Sequence, residues 1–179
     1  MASSDPASTL DVRRAAAVSG AEIDALADVL VDCVEGGASV SFMLPMTRDK
    51  ARAFWRGVAD GVARGERVLL LAEDAQGIVG TVQVILAQPE NQPHRADVAK
   101  MLVHRRARRQ GAGAALMRAA EREALAEGKT LLVLDTADDT AARLYARLGW
   151  QAAGTIPRYA LLPAGGECAT TYFWRSLPA

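Results

Sequence analysis

The chain has 179 residues, carries 21 Lys and Arg against 21 Asp and Glu, and is half apolar. That length suits one domain with a continuous core, and the composition is globular rather than disordered or collagen-like. Zero net charge argues against non-specific nucleic-acid binding as the main task, and no apolar run approaches the roughly 20 residues of a membrane-spanning helix.

Cys33 and Cys168 are too few for a disulfide framework or a zinc site, and read as reduced thiols of a cytoplasmic protein. Residues 1–9 are small and polar, which predicts a flexible N-terminus ahead of a single domain over 10–179. They hold no basic stretch followed by an apolar core, so no signal peptide is expected. Residues 10–13 read as a short first strand. Ile23, Leu26, Ala27, Leu30, Val31 and Val34 then repeat at helical spacing, with Ser19 as N-cap and Gly36-Gly37 as the stop. Residues 38–46 form an apolar loop, a candidate wall of a substrate cleft. A second helix begins after Thr47, with Ala51, Phe54, Trp55, Val58, Ala59 and Val62 on its buried stripe, and Gly65 closes it.

Residues 68–73 and 78–86 are rich in strand formers, and the turn chemistry of 74–77 between them predicts an antiparallel hairpin. Gly80 inside the second strand signals a bulge or a close backbone approach. Residues 96–103 read as a strand with Asp97, Ala99, Met101 and Val103 on one face and Val98, Lys100 and Leu102 on the other. A basic loop over 104–110 leads into Gly111-Ala112-Gly113 and an alanine-rich helix to about residue 127, with Gly128 beyond its end. Residues 130–136 predict a strand covered on both faces, parallel to 96–103. A short helix over 138–148, a strand over 150–156, a loop over 157–168 and a last strand over 169–177 complete the chain. Trp150, Tyr172, Phe173 and Trp174 read as strand core or a dimer face.

The strand–loop–helix over 96–127 is the sharpest chemical feature. A glycine turn that opens a helix aims several free N–H groups, and the positive end of the helix dipole, at one point. Such a turn binds phosphate. It is neither a P-loop, since no GxxxxGK[ST] string exists, nor a dinucleotide fingerprint, since Leu116 stands where the third glycine belongs.

Met101-Leu102-Val103, followed five residues on by Arg108-Arg109-Gln110-Gly111-Ala112-Gly113, resembles the acetyl-coenzyme A motif of the GCN5-related N-acetyltransferase (GNAT) superfamily. Ala141-Ala142-Arg143-Leu144-Tyr145-Ala146-Arg147-Leu148-Gly149-Trp150 resembles its second signature. The resemblance covers about residues 10–177. Within the superfamily, Ile156-Pro157-Arg158-Tyr159 and the segment 94–100 are similar to the tabtoxin-resistance acetyltransferase group.

The resemblance implies an α/β fold. Its central sheet is mixed but mostly antiparallel, with one parallel pair at its middle and helices on both faces. It implies acetyl-CoA as co-substrate and no metal. Main-chain groups of Met101, Leu102 and Val103 would meet the pantetheine arm, and Arg108, Arg109, Gln110, Gly111, Ala112, Gly113 and Ala114 the pyrophosphate. The Val103 N–H would face the oxyanion, and Tyr145 would lie near the thioester sulfur. Asp138 stands where the family often has an Asn that contacts the pantetheine, and an Asp lacks the amide donor.

A substrate amine with a pKa of about 10.4 is almost wholly protonated at pH 7, and exposing its lone pair costs about 4–5 kcal/mol. A carboxylate in the cleft stabilises the ammonium and accepts its proton. Asp97 and Asp135, on the two parallel strands, are the candidates. An Asp at the carboxyl end of such a strand is well placed for a ligand, and burial there raises its pKa toward that of a useful base. A Tyr hydroxyl at Tyr145 suits the departing thiolate. Phe42, Met43 and Tyr159 are candidate acceptor-cleft residues by loop position, and His94 and His104 have no evident orienting partner. The expected function is acetyl transfer to an amine of a small polar, amino-acid-like molecule, in toxin or antibiotic inactivation. The alternatives are a protein or peptide acetyltransferase, or a CoA-binding sensor without catalysis. An exposed edge near the last strand favours a homodimer; neither nucleic acid nor membrane is expected as a partner.

Overall fold

The first two helices begin where a side chain satisfies their leading amides. The computed structural model describes residues 10–178, so the expected flexible segment 1–9 lies outside the described residues. After β1 (Asp11–Arg14), helix α1 (Gly20–Glu35) starts at Ser19. Ser19 Oγ accepts from Glu22 N at 3.2 Å while Glu22 accepts from Ser19 N at 2.7 Å, a reciprocal capping box. Helix α2 (Arg48–Ala63) starts at Thr47, whose hydroxyl accepts from Lys50 N.

The sheet follows from β2 (Arg67–Asp74), β3 (Gly77–Ile85), β4 (Arg95–Val103), β5 (Leu131–Thr136), β6 (Gln151–Leu161) and β7 (Glu167–Ser176). Its strand order is β1-β2-β3-β4-β5-β7-β6, antiparallel except for β4 against β5. Strand β2 explains why the sheet needs cover on both faces. Val68, Leu70 and Ala72 enter one apolar cluster and Leu69 and Leu71 the other. Helices α1 and α2 cover the second cluster through Leu26, Leu30 and Trp55. The first lies under α3 (Ala112–Ala126) and α4 (Asp139–Arg147), through Leu116, Met117 and Tyr145. The expected mixed α/β fold, with a central parallel pair and helices on both faces, is therefore present.

Gly80 fills both roles expected of it. A Cβ there would lie 2.9 Å from the Leu102 carbonyl oxygen, and the β2–β3 register shifts beside it. Strand β4 departs from the expected alternation. Thr81 pairs with Leu102 but Gln83 pairs with Ala99, so Lys100 and Met101 together oppose one residue of β3. This is a β-bulge, and Lys100 holds φ +52° within it. The bulge reverses the faces beyond it: Met101 and Val103 join Val98 against the first cluster, and Leu102 enters the second.

Two further strands differ from expectation. On β5, Leu132 and Leu134 are buried but Leu131 and Val133 are only half-buried, because β5 is covered fully on one side. Strands β6 and β7 run through the expected loop 157–168, leaving only residues 162–166 as the turn. Pro157 is tolerated because β6 is the sheet edge, and it lies within an irregular stretch where pairing skips from Ile156 to Ala160.

Candidate active site

Strands β4 and β5 pair through only three residues each: Arg95 with Leu131, Ala96 with Leu132 and Asp97 with Val133. Beyond Asp97 they separate, and residues 98–103 have no β5 partner. A cavity of about 970 Å³ opens there. Its walls are residues 98–103 of β4, the start of α3, Leu134, Asp135 and Thr136 of β5, the α4 face with Leu144 and Tyr145, loop residues 38–43, and Tyr159, Ala160 and Leu161 of β6.

At the α3 end, Gly111 holds φ +84°, a left-handed conformation that glycine adopts without strain, and no side chain caps the helix. The first amide with a helical partner is that of Ala115, which donates to Gly111 O at 3.0 Å. The N–H groups of Ala112, Gly113 and Ala114 thus have no intrahelical acceptor. All three residues line the cavity, with Gly111, Arg108 and Arg109. The four arginines of the basic loop divide. Arg105 pairs with Asp32 and Arg106 with Asp74, whereas neither Arg108 nor Arg109 has a carboxylate partner among the described residues. Gln110 lies outside the cavity lining and donates to Arg106 O. Gly113 packs closely, since a Cβ would meet Leu144 Cδ2 at 3.0 Å and Met101 Sδ at 3.7 Å.

Tyr145 is 4% exposed, against Trp150 and Phe173 with ring centroids 6.2 and 5.7 Å away. Among the described residues nothing hydrogen-bonds its hydroxyl. Burial pushes that hydroxyl well above the ordinary tyrosine pKa, and the charges of Asp138 and Asp135 push the same way. Asp138 caps α4 by accepting from Ala141 N at 2.8 Å. Asp135 lines the cavity and accepts from the buried Thr170 hydroxyl at 2.9 Å, but it is exposed rather than buried as expected. The splaying of β4 from β5 leaves it facing open space.

Asp97 lies elsewhere. It is paired across the closed part of the β4–β5 junction, its carboxylate is held by Arg95 and by Gln88 Nε2 at 3.0 Å, and it does not line the cavity. Phe42, Met43 and Tyr159 do line it. Tyr159 shares a hydroxyl–hydroxyl hydrogen bond of 2.8 Å with Tyr172, which pushes the Tyr172 pKa up to about 12. His104 is not partnerless: Nδ1 accepts from Arg106 N, and Nε2 lies 3.6 Å from Asp32.

The model of the acetyltransferase (GNAT) domain family matches residues 65–152. That stretch is similar to GNAT acetyltransferase domains. The family takes its acetyl group from acetyl-CoA. Solved structures extend the likeness of fold beyond that segment. An N-acetyltransferase from Staphylococcus aureus Mu50 shares 17% identity and superposes with a TM-score of 0.79 over 96% of this chain and 100% of that one. The protein yncA of Salmonella typhimurium, solved with its cofactor acetyl-CoA, shares 16% at a TM-score of 0.78 over 96% of each chain. A GCN5-related N-acetyltransferase from Kribbella flavida shares 24% at 0.76, over 94% of this chain and 98% of that one.

The site also presents groups that local sequence patterns do not single out. The Lys100 ammonium projects from the bulge to Ser41 Oγ at 3.0 Å and lies 5.9 Å from the centre of the Phe54 ring. Burial holds its pKa below the ordinary lysine value, with the Asp135 charge opposing that shift. A lysine within the apolar stretch 98–103 of a central strand is the available signal. The walls at this end are tied together: Leu44 N donates to Pro163 O at 3.0 Å, and Ser39 Oγ to Leu161 O at 3.2 Å. Cys33 lines the cavity as a buried thiol whose pKa burial raises.

Proposed function

We propose that the chain moves an acetyl group from acetyl-CoA to the amine of a small polar, amino-acid-like molecule, as the tabtoxin-resistance group does, and thereby inactivates a toxin or antibiotic. One observation carries the small-molecule reading. The loop over 38–46 and the β6–β7 turn are hydrogen-bonded to each other across the acceptor end. A peptide needs an open groove at that place, so a protein acceptor fits less well.

The residues present fit the co-substrate. The uncapped amides of Ala112, Gly113 and Ala114, the left-handed Gly111, and the unpaired cations of Arg108 and Arg109 suit a diphosphate. The open edge of β4 at Met101, Leu102 and Val103 suits the amide groups of a pantetheine arm, in the way a strand is added to a sheet. When bound, acetyl-CoA supplies an activated acyl thioester. Asp135, which accepts a hydrogen bond from Thr170, holds the incoming ammonium and takes its proton directly or through water. The Tyr145 hydroxyl, free of protein partners and kept protonated by burial, gives a proton to the departing sulfur. Asp97 takes no part in this scheme, because Arg95 and Gln88 hold it away from the cavity. The edge strand β6, exposed at every residue but Ala160, supports a homodimer.

The test is thiol release from acetyl-CoA in the presence of a panel of small amines and of peptides. Turnover of small amines alone is expected. Turnover of peptides alone overturns the acceptor class. Coenzyme binding without any turnover leaves the non-catalytic sensor in its place.

A further inference from the structure

The cavity holds cations at both ends. Arg108 and Arg109 stand beside the α3 amides. Of the two other cations in the lining, Arg147 comes from α4, and Lys100 lies at the acceptor end beside Ser41. Its ammonium has three donors, and one reaches Ser41 Oγ at 3.0 Å. Among the described residues no carboxylate comes within ion-pair distance of it. A half-buried ammonium held by one neutral acceptor is costly unless an anion completes it. The bulge that aims Lys100 this way also puts a non-glycine residue at φ +52°, a conformation most side chains avoid. On the opposite strand Asp135 faces the same space, and its charge is felt at Lys100. The acceptor end therefore presents one anion and one cation that are not bonded to each other.

We infer that the acceptor is an amine that also carries a carboxylate, with Asp135 taking the ammonium and the Lys100–Ser41 pair taking the carboxylate. The inference rests on the transfer reading above and sharpens its acceptor. Lys100 acts as the specificity-determining cation. Its hydrogen-bonded partner Ser41 fixes where the carboxylate sits, and the Phe54 ring beneath keeps the ammonium from swinging back to solvent. An amine of the same shape without the carboxylate leaves the Lys100 donors without a partner, which is a penalty against it.

The probes are matched pairs: L-methionine with 3-(methylthio)propylamine, L-phenylalanine with phenethylamine, and L-lysine with cadaverine. All are assayed by thiol release with saturating acetyl-CoA, and coenzyme binding is followed separately by calorimetry. The pairs that turn over should favour the carboxylate-bearing member by about 10- to 100-fold in kcat/KM, the range of a charge-assisted hydrogen bond. Lys100→Met should abolish that preference by raising KM with little change in kcat or coenzyme affinity. Lys100→Arg should restore part of it, and Ser41→Ala should weaken it. These last two keep the proposal testable if Lys100→Met does not fold. Equal turnover of both members by the unaltered protein, or a preference that survives Lys100→Met, overturns this inference while leaving acetyl transfer standing. Coenzyme binding without turnover of either member, alongside turnover of amines lacking a carboxylate or of peptides, overturns it too. No turnover of any amine overturns it together with the transfer reading.

Discussion

Replacing Tyr145 by Phe separates catalysis from architecture. Tyr145 is 4% exposed and its ring packs on Trp150 and Phe173, but none of those contacts uses the hydroxyl. Tyr145 lines the open cavity, where water satisfies its hydroxyl, so removing that oxygen strands no buried group. Tyr145→Phe should thus match the unaltered protein in Tm to within about 2 °C. The rate should fall. A positioned general acid contributes about 10²–10⁴-fold. A hundredfold fall in kcat corresponds to about 2.7 kcal/mol of lost transition-state stabilisation. Stopped-flow or steady-state thiol release gives kcat, calorimetry gives the coenzyme Kd, and thermal unfolding gives Tm. Because burial holds this hydroxyl above the ordinary tyrosine value, it stays protonated through neutral pH, and any loss of rate due to its ionisation should begin only above about pH 10. An unchanged kcat removes Tyr145 from proton transfer. A coenzyme Kd weakened as much as the rate would make it a binding residue instead.

The two strand aspartates should behave differently. Asp135→Asn should lower kcat by about 100-fold or more while coenzyme affinity holds. Asp97→Asn should leave kcat within about threefold and lower stability by roughly 0.2–1 kcal/mol, the worth of a partly exposed ion pair; a larger kinetic effect at Asp97 would reverse the assignment. Gly111→Ala meets no neighbouring atom within 4 Å but must hold φ +84°, so thermal unfolding should show a loss of about 1–2 kcal/mol from backbone strain alone. Asp138→Ala removes the α4 cap and should cost about 0.5–2 kcal/mol, whereas Asp138→Asn should match the unaltered protein, since Asn caps equally well. If both variants unfold alike, the cap is not what Asp138 contributes.

Much of this architecture is legible from local chemistry. Ser19 and Thr47 mark helix starts because their hydroxyl oxygens accept from the leading amides. The 74–77 turn fixes a hairpin, and the Gly111-Ala112-Gly113 turn marks the start of α3. The site is less legible wherever partners distant in sequence decide. The Lys100 bulge depends on how β4 registers against β3, which no local pattern encodes, so a strict alternation misassigns every face beyond it. Asp97 and Asp135 look equivalent in sequence. Only the point where β4 leaves β5 distinguishes them, since it falls immediately after Asp97. Pro157 suggests a loop, yet an edge strand tolerates it, and the β6–β7 turn is correspondingly shorter than expected.

The three-rung seam between β4 and β5 has a mechanical corollary. Strands β1 to β4 and strands β5 to β7 behave as two plates riveted at one corner, and the gap between them widens with distance from the rivets. Ala96 beside Leu132 is the middle rivet and is wholly buried, so a bulkier side chain at that rung should alter the gap without touching any residue that lines it.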